Sequence, residues 1–295
     1  MKCLLSLLFS LLVVAVPTFA QVTYTSVDFP GSTLTTTRGI NNHGDIVGAY
    51  RTVPPRHAFE VKNGQYIPLA PNTILGADLS EAFKINNRGD VVGAYVDDAG
   101  FSHGYLLSKS GNLTTIDFPT AADTYARGIN DSGTVVGQWD LLDASGDVLI
   151  VHGFLWEDGN FTQFDFPGAG DTYLFGINAR GDLVGGWDPA ITSPLEHGFV
   201  CSKQDCRSFD VPIAGSAATQ AADINARGQI AGAYLDASGA VHGFLKTEDD
   251  FIFLDFPGAV FTNAWGINAA GYIVGNYNNA DGTVHGFLAA QHGTK

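Results

Sequence analysis

Six histidines recur at a nearly regular spacing: His57, His103, His152, His197, His242 and His285. Five aspartates, Asp28, Asp117, Asp165, Asp210 and Asp255, each precede Phe-Pro or Val-Pro. Imidazoles and carboxylates are the raw material of metal centres and of general acid–base catalysis. A residue that appears once per repeat, however, spreads around a repeat protein instead of converging on one ion. Each histidine is therefore expected to donate to a carbonyl or carboxylate of a neighbouring strand. The repeated aspartate is either its partner or a turn-capping acceptor. The acids outside the repeat pattern, Asp140, Asp143, Asp188 and Glu196, are the ones to inspect for the carboxylate pair that glycoside chemistry needs.

Other catalytic or cofactor signatures are missing. There is no Gly-x-Ser-x-Gly elbow, HExxH, phosphate-binding loop or dinucleotide glycine pattern. No catalytic residue, metal ligand or cofactor is assigned. Asp143–Asp147 and Asn278–Gly282 resemble calcium loops only faintly, lacking full ligand spacing and a terminal glutamate, and leave no more than weak Ca²⁺ binding open. Arg88-Gly89-Asp90 and Arg180-Gly181-Asp182 are read as accidents of a tight turn. Cys201 and Cys206 flank four residues; if these form a hairpin loop, the thiols face each other and bridge in an oxidising compartment.

The elements that must position these residues follow from an internal period. Ile-Asn recurs at Asn41, Asn86, Asn130, Asn178, Asn225 and Asn268, successive asparagines being 45, 44, 48, 47 and 43 residues apart. Two glycines follow at fixed offsets, as at Gly44 and Gly48, then an aromatic: Tyr50, Tyr95, Trp139, Trp187, Tyr234 or Tyr277. Each unit reads as four short strands: one ending at Ile-Asn, one of the Ile46–Tyr50 type, one of the His242–Leu245 type and one of the Phe251–Phe256 type. Units of about 45 residues with four strands match propeller blades. The fourth-strand copy near Leu69-Ala70-Pro71 is degenerate. The expected fold is all-β: a six-bladed β-propeller of four-stranded blades. Val22–Pro30, a fourth strand without three before it, is expected to complete the last blade, which stops at the third strand His285–Leu288.

The repeat phrases His57-Ala58-Phe59, the His-Gly-Phe variants and Gly-Ile-Asn-x-x-Gly-x-(Ile/Val/Leu)-(Val/Ala)-Gly resemble the extracellular HAF-repeat proteins of bacteria. The resemblance covers nearly all of residues 21–295. It implies an exported repeat protein, usually without an assigned activity. Some relatives carry C-terminal anchoring segments; the ending Gln291-His292-Gly293-Thr294-Lys295 has none, which implies a freely soluble form.

Residues 1–20 have a signal-peptide pattern: Lys2, an apolar run from Leu4 to Val16, and small residues before a cut after Ala20. One propeller domain is then expected over 21–295, periplasmic or extracellular, with no membrane span and as a monomer. Without Lys2 the chain keeps 14 basic against 30 acidic residues. That balance repels nucleic acid and anionic lipid and suits neutral glycans, cationic partners or divalent cations.

Recognition is expected where the repeat varies. Between the aromatic and the histidine lie 6, 7, 12, 9, 7 and 7 residues, so one face carries loops of unequal length. First strands start from that face and are expected to line the channel. Three residues before each asparagine stand Arg38, Phe83, Arg127, Phe175, Ala222 and Trp265, with Tyr125 and Tyr173 at two strand starts. The candidate ligand-binding set is Arg38, Phe83, Tyr125, Arg127, Tyr173, Phe175 and Trp265, which suits stacking on sugar rings or peptide side chains and bonding to hydroxyls or carboxylates. The competing role for these residues is to fill space between blades. The expected function is a non-catalytic exported module recognising a glycan, peptide or protein partner. A polysaccharide lyase or hydrolase, and a purely structural or adhesive protein, are the alternatives.

Overall fold

The computed structural model describes residues 21–69, 79–189, 196–203, 205–213, 215–248 and 250–292. The signal-peptide reading falls on residues 1–20 and lies outside them. The described chain is all-β. After β1 (Gln21–Val27) the strands come in five groups of four and a last group of three. The first repeat holds β2 (Leu34–Ile40), β3 (Ile46–Arg51), β4 (His57–Lys62) and β5 (Gln65–Pro68). The second holds β6 (Leu79–Ile85), β7 (Val91–Val96), β8 (Ser102–Leu107) and β9 (Leu113–Ile116). The third holds β10 (Asp123–Ile129), β11 (Val135–Leu142), β12 (Val148–Glu157) and β13 (Asn160–Phe164). The fourth holds β14 (Asp171–Ile177), β15 (Leu183–Asp188), β16 (His197–Ser202) and β17 (Asp205–Phe209). The fifth holds β18 (Ala218–Ile224), β19 (Ile230–Leu235), β20 (Val241–Lys246) and β21 (Phe251–Leu254). The sixth holds β22 (Phe261–Ile267), β23 (Ile273–Asn278) and β24 (Val284–His292).

Each repeat is an antiparallel meander, and the molecule is a β-propeller of four-stranded blades. The sheets do not number six. Four are separate and four-stranded, and one has eight strands. The eight-stranded sheet arises because Leu34 at the start of β2 makes a single parallel pairing with Val284 at the start of β24, joining the first and last repeats. Within it, β1 pairs antiparallel with β24 along its whole length, from Gln21 opposite His292 to Val27 opposite Gly286.

The repeated residues hold unit to unit. Each asparagine after a first strand is buried and folds its own turn: Asn41 Oδ1 accepts from the backbone N–H groups of His43 and Asp45. Its Nδ2 then reaches the next unit. Asn41 donates to the Asn86 carbonyl, Asn86 to Asn130, Asn178 to Asn225, Asn225 to Asn268, and Asn268 to Asn41, at 3.0–3.4 Å. The second glycine, such as Gly48, faces the Thr36 carbonyl so closely that a Cβ would overlap it. A β-bulge in the first strand, as between Thr37 and Gly39, lies against it.

The histidine expectation holds in its carboxylate form. His103, His152, His197, His242 and His285 bond through Nδ1 to Asp117, Asp165, Asp210, Asp255 and Asp28 at 2.8–3.1 Å. Each ring also lies against the aromatic of the same unit, as His103 does on Tyr95. The Phe of Asp-Phe-Pro from the neighbouring unit stacks on that aromatic too: Phe118 on Trp139, Phe166 on Trp187, Phe256 on Tyr277, and Phe29, two residues past β1, on Tyr50. Cys201 and Cys206 sit directly opposite on β16 and β17 and form a disulfide.

Asn268→Ala leaves the Ala270 and Tyr272 N–H groups without their partner and takes one of two donors from the Asn41 carbonyl, and is expected to cost about 2–3 kcal/mol. Removing the half-exposed Asp117 from its histidine is expected to cost less than about 1 kcal/mol. Urea unfolding of the two variants side by side checks that order.

Candidate functional site

First strands of all six repeats line one axial space. Three levels follow one another along it.

At the first level, Arg38, Phe83, Arg127, Phe175, Ala222 and Trp265 meet, as their shared place in the repeat requires. They leave a space of only about 20 Å³, enough for about one water. The arginines pack on rings. Arg38 lies 4.1 Å from the Trp265 ring centre, and Arg127 lies 4.5 Å from Phe83 and 4.7 Å from Tyr125. Burial, then the nearby Arg38, pushes the Arg127 pKa down to about 10. Trp265 Nε1 donates to Asn276 at 2.8 Å, and Tyr125 shares a 3.1 Å bond with Ser102 Oγ. Phe83, Phe175 and Ala222 of this set are buried. Glu81 faces Arg56 at 2.7 Å and Arg38 at 3.7 Å. Burial works to raise its pKa, but the two guanidiniums overcome this and hold it below the ordinary range.

One residue further along each first strand the chain has Gly39, Lys84, Gly128, Gly176, Asp223 and Gly266. Neither Lys84 nor Asp223 was singled out from the sequence. The glycines are forced: a Cβ on Gly39 would lie 2.8 Å from the Phe83 carbonyl and the Lys84 Cα. Lys84 and Asp223, three repeats apart, form a 3.0 Å salt bridge across the axis, each side chain nearly buried. Lys84 also donates to the Trp265 carbonyl, and Asp223 accepts from the Ile267 N–H at 2.9 Å. Burial lowers the Lys84 pKa, and Asp223 opposes that shift. The axis is closed by this pair. The signal for it was present as the two departures from glycine in an otherwise constant column.

The third level is the asparagine ring, a shallow polar depression of about 110 Å³ whose groups bond to one another.

The opposite mouth is chemically uneven. In the third repeat Asp123 and Asp140 face each other across β10 and β11; in the fourth, Asp171 and Asp188 face each other across β14 and β15. Like charges directly opposite oppose sheet formation. One oxygen of each first-strand aspartate is anchored: Asp123 accepts from the Ser102 N–H at 2.6 Å and Asp171 from the Val151 N–H at 2.7 Å. Glu196 lies over Gly186, where any Cβ would collide with its carboxylate, and accepts from Gln220 Nε2 at 3.1 Å. Burial pushes Asp140 up to about 6, with Asp123 adding to it. Burial also pushes Glu196 up to about 7; Gln220 works against this and Asp188 adds to it. Tyr173 stands among them. Its pKa is raised by burial first and then by Asp188, Asp171, Glu196 and Asp140. Tyr173 stacks with Phe175 at 6.3 Å.

Asp143 is not part of this cluster; its Oδ1 caps its own loop, accepting from the Ser145 and Asp147 N–H groups. Arg88 and Arg180 pair with Asp90 and Asp182 inside their turns. Among the described residues no three His, Cys, Asp or Glu side chains are placed to share a metal ion. No helix of the described residues is long and apolar enough to cross a membrane.

No family model matches the chain, and no curated protein resembles it significantly. Solved structures do. A protein of unknown function from Dyadobacter fermentans superposes with a TM-score of 0.55 at 9% identity, over 92% of this chain and 99% of that one. The fucose-specific lectin from Aleuria aurantia gives 0.53 at 10% identity, over 91% and 96%. The β-propeller domain of the Trilobed protease from Pyrococcus furiosus gives 0.51 at 10% identity, over 89% and 95%. At these identities the likeness shows the propeller fold alone.

Two predictions follow from the charges. Lys84→Met leaves Asp223 buried and unpaired and is expected to cost about 3–5 kcal/mol, whereas Lys84→Met with Asp223→Leu costs less than that single change; chemical denaturation measures both. Asp140 and Glu196 bind protons more tightly folded than unfolded, so stability is expected to fall as pH rises from about 4 to about 7.5. The raised His103 and His242, whose aspartate partners overcome burial, act in the same direction. Thermal melts across that range check the slope, and Glu196→Gln should flatten it.

Proposed function

We propose that the chain is a non-catalytic, exported binding module, a closed ring of six blades that recognises a ligand on its variable-loop face. The six-blade count treats the eight-stranded sheet as two blades joined at the one Leu34–Val284 pairing. The β1–β24 ladder, the Asn268–Asn41 bond and the Phe29–Tyr50 stack support closure between the last repeat and the first. The assignment to HAF-repeat proteins rests on the repeat phrases of the sequence.

One observation carries the functional reading. The axis is shut at Lys84–Asp223 and the asparagine face satisfies its own polar groups, so the chemistry left for a partner is gathered at the variable mouth. There Arg38 and Arg56 meet Glu81, Arg127 lies beside Tyr125 and Asp140, and Tyr173 stands among Asp140, Asp171, Asp188 and Glu196. Aromatic faces flanked by carboxyl and guanidinium groups suit a glycan, a peptide or a protein segment. A fucose-specific lectin of similar fold is consistent with a ring used for recognition.

The acidic arc favours a second reading, a glycan-cleaving enzyme. Burial, with Asp188 adding to it, raises Glu196 to about 7, a carboxyl that could hand over a proton as a general acid.

The test is a glycan and peptide array with residues 21–295. A selective hit weakened at least about tenfold by Tyr173→Ala is expected. A hit indifferent to Tyr173→Ala and Arg127→Met would remove the mouth as the site. Release of new reducing ends from a bound glycan, lost in Glu196→Gln, would replace the binding reading with the enzymatic one.

A further inference from the structure

We propose that the acidic arc around Tyr173 is a docking site for an alkylammonium group, the lysine side chain of a peptide or protein partner. This rests on the binding reading above and names the chemistry it would recognise.

Unsatisfied atoms carry the argument. Gln138 lies beside Asp140 on one face of β11, directly opposite Tyr125, and is 6% exposed. Its Oε1 has no partner. Nor has Asp140 Oδ1, nor Asp171 Oδ2, on a residue 1% exposed. All three are acceptors. A buried polar atom left without its hydrogen bond is costly, and a group that donates without accepting is the complement of such a set. An ammonium has three donors and no acceptor. Arg127 is the nearby cation, but its guanidinium is spread on the Phe83 and Tyr125 rings.

A metal ion fits poorly, because no three carboxylates of the described residues are placed to share one. An organic cation spans a wider set, and the stacked rings of Tyr173 and Phe175 offer faces for it. The acceptors lie below the rim, so the charge must arrive on a slim stem. Four methylenes along an aromatic wall do this; an amine fixed directly to a sugar ring does not. The rim beside Asp140 also carries exposed apolar side chains, Leu141, Val148 and Leu149 on the long β11–β12 hairpin, which suit a polypeptide that brings the lysine in. The room for Glu196 is built in: of the six equivalent positions in the second strands only 186 is glycine. Docking a cation among Asp123, Asp140, Asp171, Asp188 and Glu196, opposite Arg127 and beside Tyr125 and Tyr173, favours their ionised forms and so releases protons from Asp140 and Glu196.

The experiment is calorimetric titration of residues 21–295 at pH 6.5 with tetralysine, with tetralysine acetylated on every side chain, and with the tetramer of glucosamine, in two buffers of different ionisation enthalpy. Tetralysine is expected to bind with proton release, the acetylated peptide to bind at least about tenfold more weakly, and Glu196→Gln or Asp140→Asn to lose a similar factor. Asp250→Asn, far from the mouth, controls for the general acidity of the surface and should change nothing. Equal loss in Asp250→Asn, or binding without proton release, overturns the site. Tighter binding of the glucosamine tetramer overturns the lysine assignment. If tetralysine fails while a neutral ligand binds in a Tyr173-dependent way, the alkylammonium proposal falls and the binding mouth stands.

Discussion

The asparagine that ends each first strand is the contact on which the propeller depends. With one side chain it closes its own turn through Oδ1 and crosses to the next repeat through Nδ2. A buried amide satisfied in this way cannot be completed within a single repeat. The bond is therefore one between units, and it also joins the last repeat to the first: Asn268 donates to the Asn41 carbonyl, 227 residues away. The outer rim repeats the arrangement with rings, since the Phe of one unit stacks on the aromatic of the next and the histidine backs it within the unit. Polar bonds near the axis and aromatic stacks toward the rim both run between neighbours, so no repeat is held by its own residues alone.

Such regularity sets a problem at the axis. Six first strands converge so closely that a Cβ would meet backbone of a neighbouring first strand at Gly39, Gly128 and Gly266, and would be crowded at Gly176. The remaining gap is filled by Lys84 and Asp223 from units three repeats apart. Ion pairs this deep are weak sources of stability, because desolvation offsets most of the attraction. Their value here is positional. Lys84 Nζ reaches the Trp265 carbonyl and Asp223 the Ile267 N–H, so the pair satisfies polar groups that six glycines would leave facing an empty shaft. It also divides the molecule into a self-satisfied face and an unsatisfied one.

The scaffold was legible in the sequence for a physical reason. Strand periodicity, turn glycines and the Asp–His pairs are local or recur at a fixed offset, so six copies reinforce one reading. The six residues placed three before each asparagine were also recognised as one layer, and they do surround one space. Their use was not legible. Whether Arg127 faces a ligand or lies between Phe83 and Tyr125 depends on where neighbouring units sit, which no single repeat records. The sheet count differed because one backbone pairing, Leu34 with Val284, depends on how closely two blades approach, not on side-chain type. The Lys84–Asp223 bridge was missed because a lysine and an aspartate 139 positions apart look like ordinary surface residues until the fold brings them together.

Function, in a protein of this kind, has to be sought in broken symmetry. A residue kept in every unit is occupied with its neighbours, as the histidines are with their aspartates. The third and fourth repeats break the pattern together: both have long connections after the second strand, both set two aspartates opposite one another, and the fourth gives up a side chain at Gly186 to seat Glu196. Packing alone does not call for this. Opposed carboxylates raise the energy of the sheet that carries them, and burial raises it further, as the displaced Asp140 and Glu196 pKa values record. Stability given up at one point of an otherwise self-consistent propeller is the kind of local conflict that function imposes on a fold.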